Sequence, residues 1–380
     1  MKKILIVFSE RIPSVEIICN LLQNFKKDVA IDIKERLIVE CTKADIEWSD
    51  TILVIRPFDI SMVGILRAAK KSNREIIVYL DDDLLHLPQI FSSGLRKLCS
   101  TVLYRMNRYA LKEALEICDV FWGSSEYMVN KYRDYVATTR CICTDACVSM
   151  VNMKQYNETM DDEINILYAA SSDHFIEVNK YIIPALNNLG PKYKNLKFTC
   201  IGIRKEKISE CAVNIEVYPW FEDYNEYYKF ILQKNFDIGL APVQQTEFYR
   251  CKYYNKYFEY VLQGIVGIYT NDYPFKAVVE DGVNGLLSDN TVEGWTSKIE
   301  YAILHKAHNR QMVERAQNDC REKFNIRSIC KDLKEKLPEL YVVDRSEYLA
   351  VKFRPNVVFN NIRKYAVWLV ESYEHVKRKE

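Results

Sequence analysis

The sequence predicts an α/β protein made of two doubly wound, Rossmann-like domains. Short apolar runs alternate with amphipathic segments of helix length, the pattern of a parallel sheet with crossover helices. The alternation fades near residue 140 and restarts at Ile164, so it describes two sheets rather than one. A third observation narrows the class. Positions 1–63 hold no glycine, so the turn after the first strand lacks the glycine fingerprint that cradles a pyrophosphate in nicotinamide and flavin dehydrogenases.

Residues 4–8 form a buried strand in this reading, and Pro13 opens a helix that runs to about Phe25. Thr51–Ile55 is the next strand, followed by a helix near 61–71. Glu75–Leu80 is a third strand, ending in Asp81-Asp82-Asp83. A long helical pattern covers 94–117. Val120–Gly123 is another strand, after which Ser124-Ser125 caps a helix over 127–132. Residues 138–162 carry few signals and are taken as a hinge. In the second half, strands are expected at Ile164–Ala169, 196–202, 213–217, 236–240 and 265–269. Helices are expected at 174–189, Tyr224–Gln233, 291–306 and 309–323. The resulting domains are 1–150 and 151–340, joined near 144–163 and expected to face a cleft. A helical segment at 341–380 is expected to pack back on the first domain.

Bulk properties agree with a large soluble enzyme. A chain of 380 residues is too long for one core. Lys and Arg total 53 against 52 Asp and Glu, a net charge of +1, which gives no overall attraction to nucleic acid. The apolar start breaks at Ser9-Glu10-Arg11, too early for an export signal, and no apolar run is long enough to span a bilayer. A cytoplasmic protein is expected. Of the 12 cysteines, Cys19, Cys118 and Cys200 sit among apolar residues as small hydrophobes. Cys141, Cys143 and Cys147 cluster without paired CxxC spacing, and the 5 histidines are scattered, so no metal site is expected.

Chemistry concentrates in the string Asn255-Lys256-Tyr257-Phe258-Glu259-Tyr260, continuing through Gly264 to Asp281-Gly282-Val283-Asn284-Gly285-Leu286-Leu287. Lys256 and Glu259, three apart, share one helix face. That face points toward the carboxyl end of the following strand, where open α/β sheets bind ligands. A carboxylate there accepts from sugar hydroxyls, and an ammonium neutralises phosphate. Arg250, Lys252 and Lys256 supply cationic charge, and the backbone N–H groups of the turn Thr270-Asn271, opening the next helix, are a second candidate for phosphate. Solvated basic side chains on an ordinary helix are the plainer reading of the same run.

This string resembles the donor-binding segment of nucleotide-sugar glycosyltransferases with the GT-B architecture, most of all the GT4-type group in bacterial surface-polysaccharide synthesis. The resemblance implies that Glu259 binds the ribose hydroxyls of a nucleotide-sugar, and that no metal or other cofactor is needed. It covers residues 164–324 best. Two departures are visible. Many such enzymes carry two glutamates with seven residues between them, but counting back from Glu259 reaches Cys251, and Glu247 is out of register. They also tend to place Arg and Lys after the first strand of the second domain, where this chain has Ser171-Ser172-Asp173-His174. That loop is more similar to surface-polysaccharide enzymes with Ser, Asp and His at this point. His174 is therefore a candidate for contacting phosphate or donor sugar, or simply a helix cap.

Asp82 and Asp83, with Asp81, are candidates for binding acceptor hydroxyls or acting as base. Equally, they order their loop through hydrogen bonds. Trp220-Phe221 is expected to be buried packing, with the nucleotide base as its alternative neighbour. Two basic and apolar stretches, Arg96 to Lys112 and 357–376, are candidate contacts to anionic lipid or helices packed on the core. The function expected is sugar transfer from a nucleotide-sugar to a glycan or lipid-linked acceptor. A GT-B-like nucleotide-sugar 2-epimerase and a non-catalytic nucleotide-sugar or glycan-binding subunit are the alternatives.

Overall fold

The computed structural model describes residues 1–87, 95–146, 153–156, 163–170, 175–221 and 223–353. His174, the loop before it and the basic stripe at 357–376 lie outside the described residues. By contacts between residues the chain divides into two compact units, Met1–Cys147 with Ile326–Glu380, and Val148–Asn325.

Among the described residues the first unit holds six parallel strands: β1 Lys2–Phe8, β2 Ile31–Leu37, β3 Thr51–Ile55, β4 Glu75–Leu80, β5 Val120–Gly123 and β6 Cys141–Cys143. Their order across the sheet is β2-β1-β3-β4-β5-β6. The continuous apolar runs of β1 and β3 have no solvent face and lie in the middle, as parallel strands covered on both sides must. Pro13–Phe25 lays Val15, Ile18, Leu22 and Phe25 against Ile4, Ile6, Leu53 and Trp122. Ser125 caps the helix Glu126–Tyr132 by accepting from the Met128 N–H at 3.2 Å, as its sequence position suggests.

The second unit repeats the plan with β7 Ile164–Ala169, β8 Leu196–Ile201, β9 Asn214–Tyr218, β10 Ile238–Ala241, β11 Val266–Thr270 and β12 Leu286–Ser288. Their order is β12-β11-β10-β7-β8-β9, again all parallel. The direction of winding reverses between β1 and β3 in the first sheet and between β7 and β10 in the second. Such reversals open a crevice at the carboxyl ends of the strands, where open α/β sheets take their ligands.

The domain boundary differs from the expected one. Residues 326–340 read as part of the second domain, but Ile326–Lys336 packs Ile329, Cys330 and Leu333 into the first unit's core. Arg140 reinforces the attachment through Glu339 at 2.8 Å and the Lys336 carbonyl at 2.6 Å. The apolar face of this helix matches the unfilled side of Pro13–Phe25, which its place in the sequence does not reveal. Cys19, Cys118 and Cys200 are buried, and burial pushes their thiols up to about 12, so they act as neutral core residues.

Candidate functional site

The helix Asn255–Leu262 buries Tyr257, Phe258, Tyr260 and Val261, which leaves Lys256 and Glu259 on its other face. Tyr260 Oη donates to the Leu240 carbonyl at 2.7 Å and pins the helix on β10. Gly264, with φ of +69°, then turns the chain into β11 in a conformation that favours glycine.

On the open face, Lys256 Nζ lies 2.5 Å from Glu259 Oε2, and the same oxygen accepts from Tyr227 Oη at 2.9 Å. Tyr227 comes from the helix Tyr224–Gln233, and its ring lies beneath the Lys256 ammonium at 5.5 Å. The structure thus brings Lys256 and Glu259 together as the spacing predicts. It adds Tyr227, which sequence reasoning missed, because nothing local connects two helices 32 residues apart.

The other donor-side candidates have different positions. Arg250 Nε donates to Asp272 Oδ2 and its NH1 to Glu247 Oε1, both at 3.0 Å, which ties the helix Glu247–Arg250 to the end of β11. Lys252 lies over the rings of Phe248 and Tyr249, at 5.0 and 5.7 Å. Cys251, which stands where a first glutamate would be, is fully buried.

Thr270 and Asn271 do not form the amide cradle expected of them. The Asn271 N–H bonds to the Ser288 carbonyl at 2.7 Å, and the Asp272 N–H to the Thr270 carbonyl at 2.7 Å. The element that follows is a single 3-10 turn, Phe275–Ala277, rather than a helix. Thr270 is buried, and its Oγ1 accepts from the Val243 N–H at 2.8 Å, so its work is to hold the loop after β10. Asn271 Nδ2 donates to Asp289 at 2.8 Å.

Trp220 corrects a second expectation. It is 56% exposed rather than packed away. Gly202, at the end of β8 with φ of +91°, explains how the indole reaches the strand ends. A Cβ there would meet the Ala170 carbonyl at 1.8 Å and the Trp220 ring at 3.3 Å. The glycine therefore lets the chain ends of β7 and β8 and the indole edge come together.

In the first unit the three aspartates separate into two roles. Arg56, at the end of β3, has φ of 50° and sends NH1 to Asp81 Oδ1 at 2.7 Å and Asp82 Oδ2 at 2.8 Å. A non-glycine residue in that conformation is held by its surroundings, here by the two carboxylates and by its N–H bond to the Tyr79 carbonyl. Burial pushes the Asp81 carboxyl above its usual range, against the pull of Arg56. Asp82 keeps part of its side chain in solvent.

Asp83 faces inward and its side chain is 0% exposed. Lys131 Nζ at 2.7 Å, Tyr132 Oη at 2.8 Å and His86 Nδ1 at 2.9 Å surround it. An enclosed carboxylate with this set of donors orders its loop, the second of the two roles the sequence allowed. On the helix Leu95–Ile117, Val102, Arg105 and Tyr109 are exposed. No helix among the described residues is long and apolar enough to cross a membrane.

No protein-family model matches the chain, and a search of curated proteins finds no significant match. Solved structures do match. HepE from Anabaena, in complex with UDP-glucose, aligns at TM-score 0.60 and 13% identity over 90% of this chain and 100% of its own. Sucrose-phosphate synthase from Thermosynechococcus elongatus aligns at TM-score 0.61 and 10% identity over 90% and 99%. TarM aligns at TM-score 0.55 and 12% identity over 75% of this chain, which spans 54% of TarM's length. The chain has the GT-B fold. Within the GT-B fold, the cluster of Tyr227, Lys256 and Glu259 belongs to the second Rossmann-like unit, and the Arg56–Asp81–Asp82 cluster to the first.

Proposed function

We propose that the protein is a glycosyltransferase that moves a sugar from a nucleotide-sugar to a glycan or lipid-linked acceptor in surface-polysaccharide synthesis, in the manner of GT4-type enzymes. The observation that carries this reading is the Lys256–Glu259–Tyr227 cluster on the open face of the helix Asn255–Leu262. It combines a carboxylate suited to a ribose diol with an ammonium suited to phosphate. The neighbours described as complexes with UDP or UDP-glucose support a nucleotide-sugar donor.

In this reading Glu259 binds the ribose, while Lys256 and Lys252 stand near the diphosphate and stabilise its charge as it leaves. Arg250 is tied to Asp272 and Glu247 and keeps the loop before the helix in place. The exposed Trp220 offers a flat apolar surface to the base. On the acceptor side, Asp82 is the aspartate presented to hydroxyls, oriented by Arg56. His174 remains a candidate for the donor phosphate or sugar. The cations replace a metal cofactor. Val102 and Tyr109, exposed beside Arg105, support an acceptor held at a membrane surface on the cytoplasmic side.

A panel of nucleotide-sugars in a thermal-shift assay, followed by product analysis with and without acceptor, tests the proposal. Nucleotide release that requires acceptor supports transfer. A changed sugar with donor alone indicates the 2-epimerase, and binding without turnover indicates a binding subunit. The last outcome has a specific motive, since Cys251 replaces a glutamate of the two-glutamate pattern.

A further inference from the structure

Glu177 closes the short helical turn Phe175–Glu177 that follows β7, and it is 4% exposed. The side chain of Gln244 bonds to its carboxyl. The carboxyl oxygen Oε2 is enclosed and has no hydrogen-bond partner among the described residues. Gln244 stands three residues beyond Ala241, the last residue of β10. Its neighbour Val243 is fixed at both ends of its peptide unit, by Thr270 Oγ1 to the N–H and by Asn290 Nδ2 to the carbonyl, each at 2.8 Å. The Glu177–Gln244 bond therefore joins the first turn after β7 to the anchored loop after β10. Those are the two strands between which the sheet reverses its winding.

Two further facts mark the position. Directly after Glu177 the helix widens into a π-helical turn over Val178–Ile182, a feature frequent at functional sites. Burial also pushes the Glu177 carboxyl above its ordinary range, against the hydrogen bonds to it and the pull of Lys180. A buried carboxyl oxygen without a partner is costly. Its position at the strand-switch crevice places that unused capacity where ligands of such sheets bind.

We propose that Glu177 is a sugar-recognition residue, its unpartnered oxygen completed by a hydroxyl of the transferred sugar while Gln244 holds the carboxyl in place. This rests on the reading of the protein as a nucleotide-sugar enzyme. A sugar hydroxyl fits better than phosphate, because a hydroxyl can either donate to a carboxylate or accept from a carboxylic acid. A diphosphate would instead meet like charge whenever the acid ionises.

Calorimetry on the full chain tests this with UDP against UDP-glucose and UDP-N-acetylglucosamine, and GDP against GDP-mannose. Glu177→Met and Glu177→Ala both delete the oxygens, one preserving side-chain volume and one not, and Glu177→Gln keeps a polar end. In the first two variants, affinity for the nucleotide-sugar is expected to fall about tenfold while affinity for the free nucleotide stays within about twofold. Glu177→Gln should recover most of the loss. An unchanged ratio between the two ligands, or a parallel fall in both, overturns the inference, since a purely structural residue would affect them alike. A parent protein that binds free nucleotide but gains nothing from the sugar overturns it as well. A parent that binds neither ligand overturns the functional reading on which it rests.

Discussion

Lys256 Nζ and Glu259 Oε2 lie 2.5 Å apart on one helix face, and Tyr227 Oη bonds to the same carboxylate oxygen from a second helix. The contact fixes the position of the carboxylate, and it defines the most direct test of the donor site.

Glu259→Gln retains size but removes the charge. Nucleotide-sugar affinity is expected to fall by about one to two decades, corresponding to roughly 1.5–3 kcal/mol for a lost charged hydrogen-bond partner. Calorimetry measures this directly. Melting should shift little, because Glu259→Gln keeps a hydrogen-bond acceptor for Lys256 and Tyr227 in a pair that is still partly in solvent, and such pairs contribute about 0–1 kcal/mol to folding. Parental affinity in a folded variant would place the ribose elsewhere.

Asp82 and Asp83 are adjacent in sequence, and their variants should diverge. Asp83→Ala strands the Lys131 ammonium beside a buried void, and unfolding free energy should drop by about 3–5 kcal/mol. Asp82→Asn keeps an oxygen for Arg56 to bond, with Asp81 still in place, so it should cost much less stability than Asp83→Ala while lowering transfer to acceptor. Equal stability of the two variants would contradict the division of roles.

Trp220→Leu removes an exposed ring. Stability should stay within about 0.5 kcal/mol of the parent. Loss of a base-stacking surface should weaken nucleotide binding by about 1–3 kcal/mol. Quenching of tryptophan fluorescence by UDP or GDP reports the contact, and quenching that survives in the variant would assign it to another tryptophan.

Glu177 gives the protein a pH signature that does not depend on a ligand. Its folded-state pKa is raised by burial, so the folded state holds this proton more tightly than the unfolded chain. The associated stability is present below the unfolded value, near pH 4.5, and is lost as pH rises through the folded value. Glu177→Gln has no such loss. Its melting temperature relative to the parent should therefore climb as pH rises from about 4.5 toward the alkaline side, with Gln244 and Lys180 unchanged in both proteins. A constant difference across that range would show that the carboxyl does not titrate there.

The central strands were legible in the sequence because burial on both sides demands unbroken apolar runs. Thr51–Ile55, Glu75–Leu80, Val120–Gly123 and Ile164–Ala169 appear at the expected residues. The strands that escaped notice are at sheet edges. Ile31–Leu37 carries Asp32, Lys34, Glu35 and Arg36, and an edge strand uses such charges to avoid pairing with other chains. Cys141–Cys143 and Leu286–Ser288 are three residues each, too short for a period to show.

The site was legible where one helix carries it. The period of 3.6 residues brings Lys256 and Glu259 together without tertiary information. Tyr227, Gln244 and the inward turn of Asp83 depend on partners far along the chain. The exposure of Trp220 was misread because an aromatic pair after a proline looks the same whether it is packed or presented.

The return of residues 326–340 to the first unit has a consequence for the order of folding. Residues 148–325 form one continuous stretch, so that unit can close its core as soon as it has left the ribosome. The first unit, although synthesised earlier, must wait for Ile329, Leu333, Leu337 and Leu340 to cover Pro13–Phe25. Until then Leu21, Leu22 and Phe25 lack part of their cover, and the amino-terminal half of the nascent chain is the half that a chaperone would find.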